Sequence, residues 1–244
     1  MNRADTIIRT NRINGLRRRF IDNGLVGLDK GEALELILSY SGLKDVAGVA
    51  ERLKRGKAGF RAVFDSQDEV VKGGVLVVKV VKALAARYLK ERLVGADVSV
   101  RPQLLNDYLL LTLSGERVEK FVAVFLDAAS AVIDVDTLHE GTINTTAVYP
   151  RVCVEAALRR KARVLVFAHN HPSGDALPSA QDRILMGYLD RAAGAVGLDV
   201  YDHLIVGRTK VFSLRREGGW QMERTTEAKK TQARLLSKRR EDRQ

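Results

Sequence analysis

His169 and His171 stand two residues apart at the end of an apolar stretch, RVLVFAHNH, and Ser179 and Asp182 follow after a Gly-containing loop. Along a strand, residues i and i+2 point to the same face, so both imidazoles can approach one ion. Asp182, one turn into the next helix, can reach back with a carboxylate oxygen. Two His and one Asp are three protein ligands, leaving a fourth tetrahedral position for water. That is the open arrangement of a catalytic zinc rather than the closed set of a structural one. One zinc held in this way lowers the pKa of its water to about 7. Ser-x-x-Asp before an apolar helix also fits a capping box with Ser179 as N-cap, and His-x-His is common on strands for structural reasons. The combination is more specific than its parts, since it uses two of only four histidines in the chain.

These side chains need a strand, a loop and a helix to bring them together. RVLVFAHNH is an apolar strand turning polar at its end, and PSAQDRILMGYLDRAAGAVG has helical length and periodicity. Upstream, RPQLLNDYLLLTLSG predicts a helix, EKFVAVFLDAAS and AVIDVDTLHEG predict a β-hairpin, and YPRVCVEAALRRKA predicts a helix with Pro150 near its first turn. Downstream, LDVYDHLIVG and KVFSL predict two more strands. Residues 101–214 therefore predict an α/β domain of two or three layers.

Residues 1–93 read as a small helical domain. LDKGEALELILSYSG gives a helix after Asp29 that ends at Gly42, and DVAGVAERLKRG gives a second. DSQDEVVKGGVLVVKVVKALAARYLKERL gives a short and a long helix around a Gly-Gly break at 73–74, with Lys72, Lys79 and Lys82 nearby. Free N–H groups at the start of that long helix could hold a nucleic-acid phosphate. A packed helical hairpin with solvated lysines is the plainer reading. VGADVSV, 94–100, is expected to be a linker, and 215–244 a polar, basic tail.

Composition narrows the class. The 244 residues are 45% hydrophobic and 29% charged, which fits a soluble globular protein and not a disordered one. One cysteine excludes a disulfide framework and a Cys-based zinc finger, and suits a reducing compartment. No apolar run approaches the roughly 18–20 residues of a membrane span. The opening MNRADTIIRTNRINGLRRRF lacks the apolar core of a secretory signal, so a cytoplasmic setting with no membrane partner is expected. The net charge of +11 divides into +7 over 1–100, −1 over 101–214 and +5 over 215–244. A near-neutral working domain thus lies between two basic flanks, and those flanks are where DNA would be met.

His169-Asn170-His171, seven residues, then Ser179-x-x-Asp182 matches the signature of JAMM (MPN-type) metalloproteases. HNHPSGD, with GTIN at 141–144, YPR at 149–151 and DHLIVG at 202–207, closely resembles the RadC branch of that group. The resemblance covers nearly the whole chain short of the basic tail. It implies an α/β (α+β) protein: a helical domain related to helix-hairpin-helix modules, then a JAMM-like mixed sheet with flanking helices. The hairpin here reads VKGGVLVVK and lacks the Gly-apolar-Gly spacing of DNA-binding versions. JAMM enzymes use an upstream glutamate as general acid/base, which carries over onto Glu119, just before the strand FVAVFLD. An acid at the mouth of an apolar strand can sit in a cleft with a raised pKa. Glu116 and Glu140 are rivals for the role. In the family the serine, here Ser179, helps hold the oxyanion. His169, His171 and Asp182 become the ligands of one zinc, and a peptide or protein becomes the substrate.

The remaining candidates have plainer roles. His203, beside Asp202 on a strand, reads as structural before it reads as a partner of a metal ligand. Cys153 reads as core, His139 lies near a turn with no visible partner, and Asp175 either meets substrate or shapes its loop. Two functions follow: a zinc-dependent hydrolase of peptide or isopeptide bonds, or a DNA repair or recombination protein whose JAMM-like domain is structural or regulatory.

Overall fold

Lys120–Leu126 and Val164–Asn170 are apolar at nearly every position, and such runs demand cover on both faces of a sheet. They form strands β1 and β3 within a five-stranded mixed sheet of order β2-β1-β3-β4-β5, completed by β2 (Val132–Glu140), β4 (Asp199–Val206) and β5 (Val211–Ser213). β1 pairs antiparallel with β2 and with β3, β3 pairs parallel with β4, and β4 pairs antiparallel with β5. The computed structural model describes residues 3–43, 45–55, 74–141 and 148–217. Lys72, Gly73, the short helix read in DSQDEVVK, residues 142–144 of GTIN and the tail from 218 onward lie outside the described residues.

The chain divides into two compact units, Met1–Ala85 and Ala86–Gln244. In the first unit, α1 (Arg3–Asn23), α2 (Lys30–Leu38), α3 (Val46–Arg55) and the start of α4 (Gly74–Leu93) carry the structure. α2 begins where Asp29 accepts the N–H groups of Gly31 and Glu32 while Glu32 accepts that of Asp29, a complete capping box. Leu34, Leu38, Val46, Val49, Ala50 and Val78 form its core. Arg12 donates to both carboxylate oxygens of the buried Glu35 at 2.8–3.0 Å, so that acid is matched rather than spare.

In the second unit the sheet is covered on both sides, giving three layers. On one face, Phe121, Ala123, Phe125, Leu165, Phe167 and Ile205 pack with α6 (Pro150–Arg159) and α7 (Ala180–Ala195). On the other, Val122, Val124, Val166, Ala168 and Leu204 pack with α5 (Pro102–Leu113). Alternation along β1 and β3 assigns each side chain to its face. Residues 94–100, expected to be a linker, run beside β2. Gly95 donates to the Val132 carbonyl at 2.8 Å, Val132 donates back to Ala96 at 3.0 Å, and Val98 is buried. Among the described residues no helix is long and apolar enough to cross a membrane.

Candidate metal centre

Strand register delivers the histidines. His169 pairs with Phe121 across β1·β3, and His203 pairs with Phe167 across β3·β4, so both imidazoles lie on the face covered by α6 and α7. α7 begins on that face at Ser179, whose hydroxyl accepts the Asp182 N–H at 3.1 Å while Asp182 Oδ2 accepts the Ser179 N–H at 2.7 Å. The capping box and the ligand reading of Ser-x-x-Asp are thus one structure. The cap fixes the first turn, and the fixed turn aims the same carboxylate at the histidines. Ser179 Oγ also donates to Asp182 Oδ2 at 2.7 Å, so its single proton is directed at that acid.

The loop between strand and helix is held just as tightly. His171 N–H reaches the Val206 carbonyl at 3.1 Å, Gly174 N–H reaches His171 O at 2.8 Å, and Arg208 N–H reaches Gly174 O at 2.9 Å. Gly174 has φ +85°, and a side chain there would meet Arg208 at 3.0 Å, which explains the glycine. Asp175 shapes this loop: its carbonyl lies 2.9 Å from His171 Nδ1, and its carboxylate accepts the Leu177 N–H.

Three groups converge. His169 Nε2 is 2.9 Å from His171 Nε2 and 3.1 Å from Asp182 Oδ1, and His171 Nε2 is 3.4 Å from Asp182 Oδ2. One ligand atom from each lies within 4.8 Å of the others. The His169 and Asp182 side chains are 1% and 6% exposed against 16% for His171, so the cluster opens to solvent past His171. Burial opposes the charge on Asp182, but hydrogen bonds from His169, His171 and Ser179 outweigh it and drive the carboxyl well below its usual range. The hydrogen bond to Asp182 raises the His171 pKa, against burial and with a smaller push from Glu119. Burial pushes the His203 pKa well down.

The donor set fits a metal ion: a buried carboxylate held ionised faces two imidazole nitrogens, and no Lys or Arg among the described residues pairs with it. The other nitrogen of each imidazole is also engaged, as metal-binding histidines require: His171 Nδ1 at Asp175 O, and His169 Nδ1 at His203 Nε2, 2.6 Å away. His203, expected to be structural, is therefore the direct neighbour of a candidate ligand.

Glu119 sits one residue before β1, on the segment that pairs with the end of β3, and its charge acts on His171. Of its rivals, Glu116 lies 3.1 Å and Glu140 3.7 Å from Lys120 Nζ. The buried Asn170 ties this segment to β3. Its Oδ1 accepts the Lys120 N–H at 2.8 Å, and its Nδ2 donates to Val118 O at 3.2 Å. Asn170 is visible in the motif, but only the fold shows this clamp. Cys153 is core, with its thiol pushed by burial to about 12. His139 lies on the same face as Phe121, and its buried Nε2 has no hydrogen-bond partner among the described residues.

Residues 100–220 match the family model of the RadC-like JAB domain. The chain is 36% identical over 210 residues to a UPF0758 protein of Nitrosospira multiformis, covering 83% of this chain and 94% of the relative. It is 33% identical over 211 residues to one of Pseudoalteromonas translucida, with coverage of 83% and 94%. A UPF0758 protein of Nitrosomonas europaea is 41% identical over 138 residues, which is 57% of this chain and 62% of that relative. These names state a family and no reaction.

Proposed function

The chain belongs to the RadC family, UPF0758, and from that premise we propose that it is a zinc-dependent hydrolase of peptide or isopeptide bonds. The observation that carries the reading is the convergence of His169, His171 and Asp182 on one point, with no Lys or Arg paired to the acid among the described residues. Zinc bound there would act as a Lewis acid and bring the pKa of a bound water to about 7.

The chain's own residues supply the rest. His169, His171 and Asp182 hold the ion, and Ser179 keeps Asp182 in place through its cap. Glu119, whose charge acts on His171, holds and returns a proton at its carboxylate as general acid/base. Ser179 meets the oxyanion only by turning its O–H away from Asp182, so its larger contribution in this reading is to the ligand. The chemistry belongs to residues 101–214, with a peptide or protein as substrate.

The test is metal content together with turnover on a panel of peptide and isopeptide substrates. Wild type should carry about one zinc per chain, and His169→Ala should carry none. Glu119→Gln should keep the zinc and lose roughly 10²–10⁴-fold in turnover. Wild-type protein that takes up no supplied zinc would sink the reading.

A second reading, binding of DNA through the basic flanks, is favoured by α1, where Arg17, Arg18 and Arg19 are exposed in succession. Here the JAMM-like domain is structural or regulatory. DNA affinity that falls steeply with salt, with a slope reduced when these arginines become Ala, supports it; an unchanged slope removes α1 from the interface.

A further inference from the structure

His203 is fully buried, and its two ring nitrogens have very different surroundings. Nε2 lies 2.6 Å from His169 Nδ1, while Nδ1 has no hydrogen-bond partner among the described residues. The ring stands edge-on to Phe121, with centroids 6.0 Å apart and planes at 87°. Its backbone is fixed from both sides: His203 N–H donates to Asp202 Oδ1 at 2.7 Å, and its carbonyl accepts Leu214 N–H at 2.9 Å. Asp202 is itself anchored by Ser213 Oγ at 2.5 Å and Arg215 N–H at 3.1 Å. A polar ring placed so firmly, with one nitrogen left unpaired, is an unfavourable arrangement unless the other nitrogen has a task.

Proton counting identifies that task. A histidine that ligates through Nε2 must be neutral and carry its proton on Nδ1. On His169 that proton points at His203 Nε2, which can accept it only if the His203 proton sits on Nδ1, the unpaired atom. In the opposite arrangement His203 Nε2–H donates to His169 Nδ1. The His169 proton then sits on Nε2, facing Asp182 Oδ1 at 3.1 Å, and blocks the lone pair needed for a metal. The two rings therefore change tautomer together.

We propose that His203 is a positioning residue for the metal centre: as the Nδ1–H tautomer it accepts the His169 Nδ1 proton and so frees His169 Nε2 to ligate. This rests on the reading of His169, His171 and Asp182 as metal ligands. Loss of an outer partner of a ligating histidine typically costs about 10–100-fold in metal affinity, and that is the effect expected here.

The experiment measures zinc affinity by competition with a chromophoric chelator, and cobalt absorption spectra, for wild type and three variants. His203→Gln brings an amide to the former place of Nε2 and should bind within a few-fold of wild type with an unchanged cobalt spectrum. His203→Asn, whose amide stops near the place of Nδ1, and His203→Leu should bind about 10–100-fold more weakly with an altered spectrum. If the Leu variant does not fold, the Gln and Asn pair decides. Equal affinity in those two, or wild-type affinity in Leu, overturns the role of His203 and leaves the metal reading standing. Failure of wild type to bind zinc or cobalt instead defeats the metal reading. In zinc-loaded wild type, ¹⁵N spectra of the four histidines should show His203 protonated on Nδ1; protonation on Nε2 overturns the proposal.

Discussion

On β2, Asp134 and Asp136 face Lys90 and Arg160; beside the end of β3, Asp182 faces His169 and His171. In the first cluster every acid meets a cation. Lys90 Nζ lies 2.8 Å from Asp134, and Arg160 reaches Asp134 at 2.9 Å and Asp136 at 2.6 Å, with its guanidinium 4.5 Å from the Phe125 ring. In the second, a more deeply buried acid meets imidazoles. Charge matched within the chain is complete as structure. A buried acid facing imidazole nitrogens instead presents a donor set that could take a cation from outside, and that difference is what marks the second cluster as the candidate site.

The largest contrast comes from removing each acid. Asp182→Asn should lose more than about 100-fold in zinc affinity, beyond the roughly 10–100-fold cost of an outer partner. Zinc should then no longer raise its thermal midpoint. Asp134→Asn should bind zinc as wild type does and keep the full rise, equivalent to about 2.7 kcal/mol at zinc one hundred times Kd. Zinc-dependent melting of the two variants side by side checks this. A rise that survives in Asp182→Asn, or vanishes in Asp134→Asn, breaks the comparison.

A smaller effect separates metal holding from acid placement. The ion-pair cluster is assembled by the side chains that compose it, whereas the Glu119 segment is held by Asn170. Asn170→Ala strips the Lys120 N–H and the Val118 carbonyl of a buried partner and should cost about 1–3 kcal/mol of stability. Zinc affinity should fall less than turnover, because the three ligands remain while Glu119 loses its register. Chemical denaturation, zinc competition and kcat together test it. Equal losses of affinity and kcat would mean that Asn170 supports the ligands alone.

Legibility in the sequence follows how far each relation travels along the chain. The candidate ligands are separated by two and eleven residues, so strand alternation and a helix start suffice to bring them together. The two central strands are legible because burial on both faces leaves continuous apolar runs. His203 lies 34 residues from His169, and its contact depends on the parallel β3·β4 register, which shifts between Leu165 and Val166. No local pattern encodes that shift. Asn170 likewise acts on a segment about 50 residues upstream. Residues 94–100 resemble a linker because Gly95, Asp97 and Ser99 interrupt the apolar residues and leave no helical period; their pairing to Val132 is long-range. α1 is legible only as part of a helical region, since charge is spread along it without a clear apolar stripe.

The smallest effect tests the ion-pair half of the comparison. Burial alone would raise the Asp134 pKa, but hydrogen bonds from Lys90, Arg160 and the Val135 N–H outweigh it and lower it. A carboxyl whose folded pKa lies below its unfolded value, about 3.9, contributes stability that is fully present above that value. The contribution is lost as pH falls toward the folded pKa. The stability difference between wild type and Asp134→Asn should therefore be constant near neutral pH and shrink below about pH 4. With Asp134 31% exposed, solvent screening keeps the difference to roughly 0.5–1 kcal/mol. Urea unfolding at pH 7, 4 and 3 reads it directly. A difference that grows as the pH falls would mean that burial wins over the two cations, and the ion-pair half of the comparison would fail.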